Sequence, residues 1–140
     1  MIIMSVDLGL ARTGIALCDA GESLAFPKTV IKEYNYARLI DKIILLAREY
    51  GAELIVMGHP KNMDGSEGER ANACRQAAEE IESKSNIKTV LWDERCTTVV
   101  AHNILTMNDR HGKKRKETVD AVAATVILEG YLASRKNKKI

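Results

Sequence analysis

The stretch IIMSVDLGLARTGIALC, residues 2–18, predicts a β-hairpin at the start of the sheet. Its first seven residues are almost wholly apolar, which predicts a buried strand over residues 2–8. A turn over residues 9–12 then leads into a second predicted strand over residues 13–18, so the two strands form a hairpin. Asp7 interrupts the first strand near its end. An ionised side chain in such a strand is costly unless a cation or hydrogen bonds satisfy it, which makes Asp7 a candidate functional residue.

The segment from Gly9 to Gly14 superficially resembles a phosphate-binding glycine loop. No Lys-Ser or Lys-Thr pair follows Gly14, and the residues after it predict a strand. The P-loop and the dinucleotide-binding motif both need a helix there, whose amino terminus holds the phosphate. The sequence therefore argues against both nucleotide-binding motifs, and a hairpin leaves Asp7 and Arg12 near each other. Capping of this turn by Asp7, or its pairing with Arg12, stays open as a structural alternative.

The rest of the chain predicts a mixed sheet with helices. A third strand over residues 24–31 contains Pro27, which suggests an edge position. The later predicted elements are a helix from Asn35 to Gly51, a strand over 54–57, a helix over 67–83, a strand over 87–92, a short helix from Thr97 to Met107 and a long helix over 117–135. Three antiparallel strands followed by alternating helices and strands predict an α/β fold. Its sheet is mixed and five-stranded, with helices on both faces, in one domain over residues 1–140.

Two further acidic positions could share the end of this sheet with Asp7. Asp93 and Glu94 follow a predicted strand, and consecutive strand residues point to opposite faces, so only one of them can share a face with Asp7. We choose Glu94 and keep Asp93 as its substitute. Asp120 heads an apolar stripe on the last helix and should face the sheet. The structural alternatives are solvated charges at the strand end and a helix-dipole role for Asp120.

Three carboxylates from two strands and a helix suit Mg²⁺ or Mn²⁺, because these hard cations take oxygen ligands. A pair of such ions about 4 Å apart can activate a water and stabilise the leaving oxygen of a phosphodiester. The carboxylates therefore predict phosphoryl chemistry. The three histidines and three cysteines are scattered, without CxxC or His ligand spacing, and give little support to a zinc site or a disulfide framework.

Basic residues could hold the backbone of a nucleic acid. Lys61 and Asn62 lie in a glycine-rich polar loop after a strand, where α/β sheets bind ligands, although a plain surface loop is also possible. A basic run that contains Lys114 and Arg115 is predicted to link two helices close to Asp120, although such runs are often simply solvated. The formal charge is −3 over residues 1–110 and +5 over residues 111–140.

The bulk composition narrows the class of protein. Aromatic residues make up 4% of the chain, which leaves few platforms for stacked bases and favours a grip on the backbone. No apolar run approaches the length of a membrane span, so we expect a cytoplasmic protein.

Four segments together resemble the YqgF family of small bacterial proteins. They are DLGLARTGIA from Asp7, GHPKNMDGSEG over residues 58–68, DERCTT from Asp93 and DAVAA from Asp120, in family order over nearly the whole chain. The resemblance implies a ribonuclease H-like fold with metal ligands at Asp7, Glu94 and Asp120. It also implies substrate contacts at Arg12, Lys61, Asn62, Arg95 and Thr98. His59 departs from the apolar residue that the family more often has.

The resemblance implies a nuclease, since the family is described as Holliday junction resolvases or pre-16S ribosomal RNA nucleases. We favour 5′-end maturation of pre-16S rRNA, with structured RNA or precursor ribosomal particles as partners. Resolution of branched DNA is the alternative, and it needs a homodimer, whereas a monomer can trim RNA. An actin-like phosphate-binding protein is disfavoured because that class binds nucleotide between two domains. A non-catalytic nucleic-acid-binding module would tolerate substitution of all three carboxylates.

Overall fold

The computed structural model describes residues 1–94 and 112–138, with side chains for residues 1–94 and 121–136. Eight elements follow one another along these residues: β1 (Ile3–Asp7), β2 (Arg12–Cys18), β3 (Ala25–Lys32), α1 (Tyr36–Glu49), β4 (Leu54–His59), α2 (Glu69–Ser85), β5 (Lys88–Asp93) and α3 (Gly112–Lys138). None of the described helices is both long and apolar enough to cross a membrane.

The strands form one five-stranded sheet in the order β3-β2-β1-β4-β5. The first three strands are antiparallel neighbours, whereas β1 with β4 and β4 with β5 pair in parallel. Pro27 lies in β3 at the edge of the sheet, where its missing N–H does least harm. The predicted mixed α/β sheet is therefore confirmed.

Strand alternation divides the core into two layers. Met4 and Val6 of β1 pack with the buried faces of α1 and α2, whereas Ile3 packs with α3 residues such as Leu128. The same alternation along β4 assigns Met57 to the layer between the sheet and helices α1 and α2, and Val56 to the layer between the sheet and α3. Helices therefore cover both faces of the sheet, as predicted.

The direction of α3 is fixed by two polar contacts, one at its middle and one near its carboxyl end. The hydroxyl of Ser5 donates a hydrogen bond of 2.6 Å to the carbonyl of Ala124, and both residues are buried. Arg135 donates to Glu22, which lies just beyond the end of β2 that pairs with the start of β1. The helix thus runs antiparallel to β1, and its amino end lies at the carboxyl end of that strand.

Several predicted boundaries change in the structure. Strand β4 continues to His59 rather than ending at residue 57, because its last residues still pair with β5. Helix α2 begins at Glu69, after Gly68 as N-cap, instead of at residue 67. The short helix predicted from Thr97 to Met107 lies outside the described residues.

The prediction that the basic run is a linker is wrong. The backbone of residues 113–116, which include Lys114 and Arg115, is helical because α3 begins at Gly112 rather than at residue 117. Lys and Arg are strong helix formers, and no proline or further glycine interrupts this run. The basic residues thus extend the helix that covers the second face of the sheet.

We predict that Glu22→Gln lowers the free energy of unfolding by about 1 kcal/mol at neutral pH, since Arg135 donates two hydrogen bonds to this carboxylate, at 2.7 and 3.3 Å. The Arg135 hydrogen bond is the main cause that lowers the pKa of Glu22 below its usual 4.5. The stabilisation is therefore complete above pH 4.5 and disappears as the pH falls through the lowered pKa. Urea unfolding at several pH values measures the difference.

The matched control is Glu79→Gln, at an exposed position on α2, which should leave stability within about 0.5 kcal/mol of wild type. A difference between wild type and Glu22→Gln that persisted unchanged into strong acid would contradict an ionic origin.

Candidate active site

Asp7 ends β1 at the carboxyl edge of the sheet. Strand alternation places it on the α3 face, in line with Ile3 and Ser5, and its side chain is 15% exposed. A guanidinium nitrogen of Arg70 lies 3.9 Å from the Asp7 carboxylate and donates a hydrogen bond of 3.2 Å to the carbonyl of Leu8. Asp7 therefore has a cation from α2 beside it.

Arg70 is a site residue that the sequence reasoning missed. The interpretation from sequence considered only Arg12 as a partner of Asp7. A signal was present, because Arg70 lies in the first turn of the helix that follows parallel strand β4, and that turn lies at the carboxyl edge of the sheet.

Glu94 follows β5 and lies over β4 on the α3 face. A Cβ atom built on Gly58 would lie 3.1 Å from the Oε2 atom of Glu94 and 2.6 Å from the Cδ1 atom of Ile127. Val6 of β1 pairs with Met57 of β4, and the two strands are parallel. The next residues along them, Asp7 and Gly58, are therefore neighbours. The missing side chain of Gly58 thus leaves room for the Glu94 carboxylate beside Asp7.

Asp93 is directed to the other face of the sheet. It is in register with His59 on β4, and strand alternation gives it the α1 and α2 side. The structure therefore brings Glu94, and not its substitute Asp93, to the face that carries Asp7.

Asp120 is placed by its backbone alone. It lies one helical turn before Ala124, the residue that Ser5 contacts, while Asp7 lies two residues beyond Ser5 along β1. Because α3 and β1 are antiparallel, both steps lead towards the same end of the sheet. The three predicted acidic positions thus converge on one edge.

Burial shapes the electrostatics of this edge. Desolvation is the main cause that raises the pKa of Glu94, Arg70 partly opposes it and Asp93 adds to it. Burial, with smaller contributions from Glu94 and Asp7, raises the pKa of the Cys74 thiol to about 11. No group of three or more His, Cys, Asp or Glu side chains able to hold a metal occurs where the structure describes side chains. The side chain of Asp120 lies outside that part.

Arg12 begins β2 on the same face as Asp7. Arg12 and Gly14 are two residues apart on β2 and therefore point to the same face. Gly14 is the register partner of Asp7, so Asp7 shares that face. Its Nε atom is buried and has no hydrogen-bond partner among the described residues. Gly9 makes this turn possible, since a Cβ there would lie 2.0 Å from the Arg12 carbonyl oxygen. The hairpin thus holds a second guanidinium near the carboxylates.

The polar loop after β4 is held by its own hydrogen bonds. The amide of the Asn62 side chain donates to the Ser66 hydroxyl at 3.0 Å, and their backbones pair at 2.9 Å. Buried His59 lies 3.1 Å from Glu67, which also pairs with Arg75 at 3.1 Å. The structure therefore gives Asn62 a role in shaping the loop, and Lys61 is half-buried in it.

The remaining predicted contacts are not described at the level of side chains. Arg95 and Thr98 lie outside the described residues. Lys114 and Arg115 lie on the first turns of α3, at the end of the helix nearest the carboxyl edge of the sheet.

A family model described as "RuvX: Holliday junction resolvase" matches residues 1–134. A Clostridium perfringens protein named "Putative pre-16S rRNA nuclease" is 39% identical over 132 residues, which cover 94% of this chain and 96% of the relative. A Bacillus cytotoxicus protein of the same name is 39% identical over 138 residues, with 96% and 100% covered.

Solved structures share the fold at low sequence identity. Thermus thermophilus RuvC is 11% identical with a TM-score of 0.59, covering 98% of this chain and 97% of its own. The fowlpox virus resolvase in a complex with Holliday junction DNA is 11% identical with a TM-score of 0.60, covering 96% and 98%. These likenesses support the ribonuclease H-like architecture.

We predict that Glu94→Gln raises the melting temperature in a chelator at pH 7 to 8. Desolvation raises the pKa of Glu94, so the folded protein becomes less stable as the pH rises from 4.5 through the raised pKa. The neutral amide avoids this loss. Thermal unfolding at acidic and at neutral pH checks the sign, and a variant that is less stable than wild type at both would contradict it.

We also predict that Gly58→Ala lowers the free energy of unfolding by about 1–3 kcal/mol, because its methyl group would overlap Ile127 and press on Glu94. The control is Gly21→Ala, whose nearest contact is the Asp19 carboxylate at 3.6 Å. It should change stability by less than about 0.5 kcal/mol in chemical denaturation. Equal stability of the two variants would show that Gly58 is not a packing constraint.

Proposed function

The chain belongs to the RuvX family, and we propose that it is a metal-dependent nuclease that matures the 5′ end of pre-16S rRNA in the cytoplasm. Family membership confirms the resemblance on which the sequence interpretation relied, and makes the protein a nuclease. The observation that carries the mechanism is the Glu94 carboxylate lodged over Gly58, one strand away from Asp7.

The donor set supports Mg²⁺ or Mn²⁺ as cofactor. Asp7 and Glu94 offer carboxylate oxygens on one face of the sheet, and the backbone of Asp120 approaches the same edge. Desolvation of Glu94 is a cost that a bound cation would offset. Such ions supply an activated water and stabilise the leaving oxygen of a phosphodiester.

The basic residues around the carboxylates would position the backbone of the substrate. Arg70 and Arg12 lie beside the acidic edge. The buried Nε of Arg12 is a hydrogen-bond donor without an acceptor among the described residues. Lys114 and Arg115 lie on the end of α3 nearest the same edge, and Lys61 lies in the loop after β4. These cations would neutralise phosphates on either side of the cut, and binding would weaken with salt. We assign Arg95 and Thr98 to the same role from the family resemblance.

Precursor rRNA is the favoured substrate because the 39% identical relatives carry that activity in their names. The second candidate is a four-way DNA junction, which the family description favours. Resolution needs paired cuts by two active sites, so it requires a dimer, whereas a monomer can process an RNA end.

We predict that purified protein cleaves a precursor rRNA fragment with Mg²⁺ or Mn²⁺, and that chelation abolishes the cut. Asp7→Asn, Glu94→Gln and Asp120→Asn should each lower the rate by more than about 100-fold, beyond what outer-shell partners of a metal cost. Gel analysis of end-labelled RNA measures the rate, with a synthetic four-way junction assayed in parallel.

The matched control is Asp93→Asn, next to Glu94 but on the other face of the sheet, which should cleave at nearly the wild-type rate. Equal cleavage by wild type and the three carboxylate variants would exclude the metal-carboxylate mechanism. Cleavage of the junction alone would replace the rRNA substrate by branched DNA.

A further inference from the structure

A pocket of about 650 Å³ opens beside the acidic edge, on the α1 and α2 side of the sheet. Three segments distant in sequence line it: the β1–β2 turn with Leu10, the β3–α1 connection with Tyr34 and the start of α1 with Tyr36, and the first turns of α2 with Arg70 and Cys74. Its volume lies in the range of small-ligand sites, about 300–1,000 Å³.

The lining of this pocket is mostly apolar and aromatic although it is open to solvent. Leu10 is 94% exposed, Tyr34 is 85% exposed and Tyr36 is 46% exposed. Two of the six aromatic residues of the chain meet here, whereas Trp92 and Tyr131 pack against each other on the α3 side. Apolar side chains that cluster on an exposed surface are typical of sites that bind a ligand or a partner molecule.

Arg70 connects the pocket to the acidic edge. Its side chain lines the pocket, is 66% exposed and reaches within 3.9 Å of the Asp7 carboxylate. A guanidinium in this position can donate to a phosphate while the group attached to that phosphate enters the pocket. Glu69 lies at the same wall and offers a carboxylate that can accept from an exocyclic amine.

We propose that this pocket holds an unpaired base of the nucleic-acid strand whose backbone lies at Asp7. The proposal rests on the proposed nuclease function and specifies its substrate: a strand that is unpaired beside the cut. Exposed tyrosines stack on bases of any sequence, and single-stranded RNA is commonly bound in this way. The low aromatic content favoured a grip on the backbone, and the proposal adds a base contact to that grip, because the fold gathers two aromatic residues beside the site.

Charge and size favour a base over a protein segment. The one cation of the described lining faces the carboxylate edge, where a phosphate would lie, and the pocket is too small for the apolar face of a helix with several anchors.

The test compares two synthetic RNA probes in a chelating buffer, where no cut occurs. One probe is a blunt hairpin. The other carries three unpaired adenosines at one end, labelled with 2-aminopurine as a fluorescent base. Versions with the extension at the 5′ end and at the 3′ end are both tested. We expect wild type to bind the extended probe about tenfold more tightly and to quench its fluorescence. Tyr34→Ala should abolish both effects, and Tyr34→Phe should retain them because it keeps the ring.

The matched control is Leu45→Ala on α1, which removes a 65% exposed apolar side chain that does not line the pocket and should bind both probes as wild type does. Equal affinity of wild type for both probes, or an undiminished preference in Tyr34→Ala and in Tyr34→Ala/Tyr36→Ala, would overturn the proposal. A third result would also overturn the proposal: a preference for the extended probe without quenching of its fluorescence, removed only by a tyrosine-rich peptide. It would assign the pocket to a protein segment instead of a base.

The two levels of the proposal fail separately. Metal-dependent cleavage by wild type and by both tyrosine variants, with no preference for unpaired ends, removes the base pocket and leaves the nuclease. A ring-dependent preference for unpaired ends without cleavage in any metal supports the pocket and removes the proposed chemistry.

Discussion

The buried hydrogen bond from the Ser5 hydroxyl to the Ala124 carbonyl sets the register on which the site depends. It is 2.6 Å long and joins the central strand to the helix that covers one face of the sheet. A buried hydroxyl in an apolar layer needs a partner, so sliding the helix would leave the Ser5 hydroxyl unsatisfied. This contact also fixes where two acidic residues lie. Asp120 is one helical turn before Ala124 on α3, and Asp7 is two residues after Ser5 on β1. A polar exception in the core thus determines how the acidic edge is assembled.

The acidic edge is maintained at a cost. Glu94 is a carboxylate that burial disfavours in its charged form, and Arg70 partly opposes this effect on its pKa. The packing accommodates it through Gly58, where any side chain would meet both Glu94 and Ile127. A structure selected for stability alone would fill that space with apolar atoms. Perturbed carboxylates of this kind concentrate at functional sites, and the bound cation that we propose would offset the cost of burying this one.

The two faces of the sheet meet at the β1–β2 turn and expose different chemical groups there. The α3 face carries the carboxylates and the amino end of a basic helix, while the other face presents a tyrosine-lined pocket. Arg70 reaches from the α1 and α2 face to the α3 face around the end of β1. In our proposals, metal chemistry and backbone neutralisation occupy one side of this turn, and a base occupies the other. Such a division suits a substrate that changes from paired to unpaired at the cut.

Local periodicity accounts for the features that were predictable from the sequence. Apolar runs and glycine turns predicted the five strands and the antiparallel pairing of the first three, and the two-residue repeat of a strand allowed only one of Asp93 and Glu94 to share a face with Asp7. The Asp120 position followed from its apolar helix face. Tertiary packing set the place of Arg70 beside Asp7, the need for glycine at residue 58 and the meeting of Leu10, Tyr34 and Arg70 in one pocket. Periodicity reports which way one element faces, whereas these features are contacts between elements far apart in sequence, and packing alone sets them.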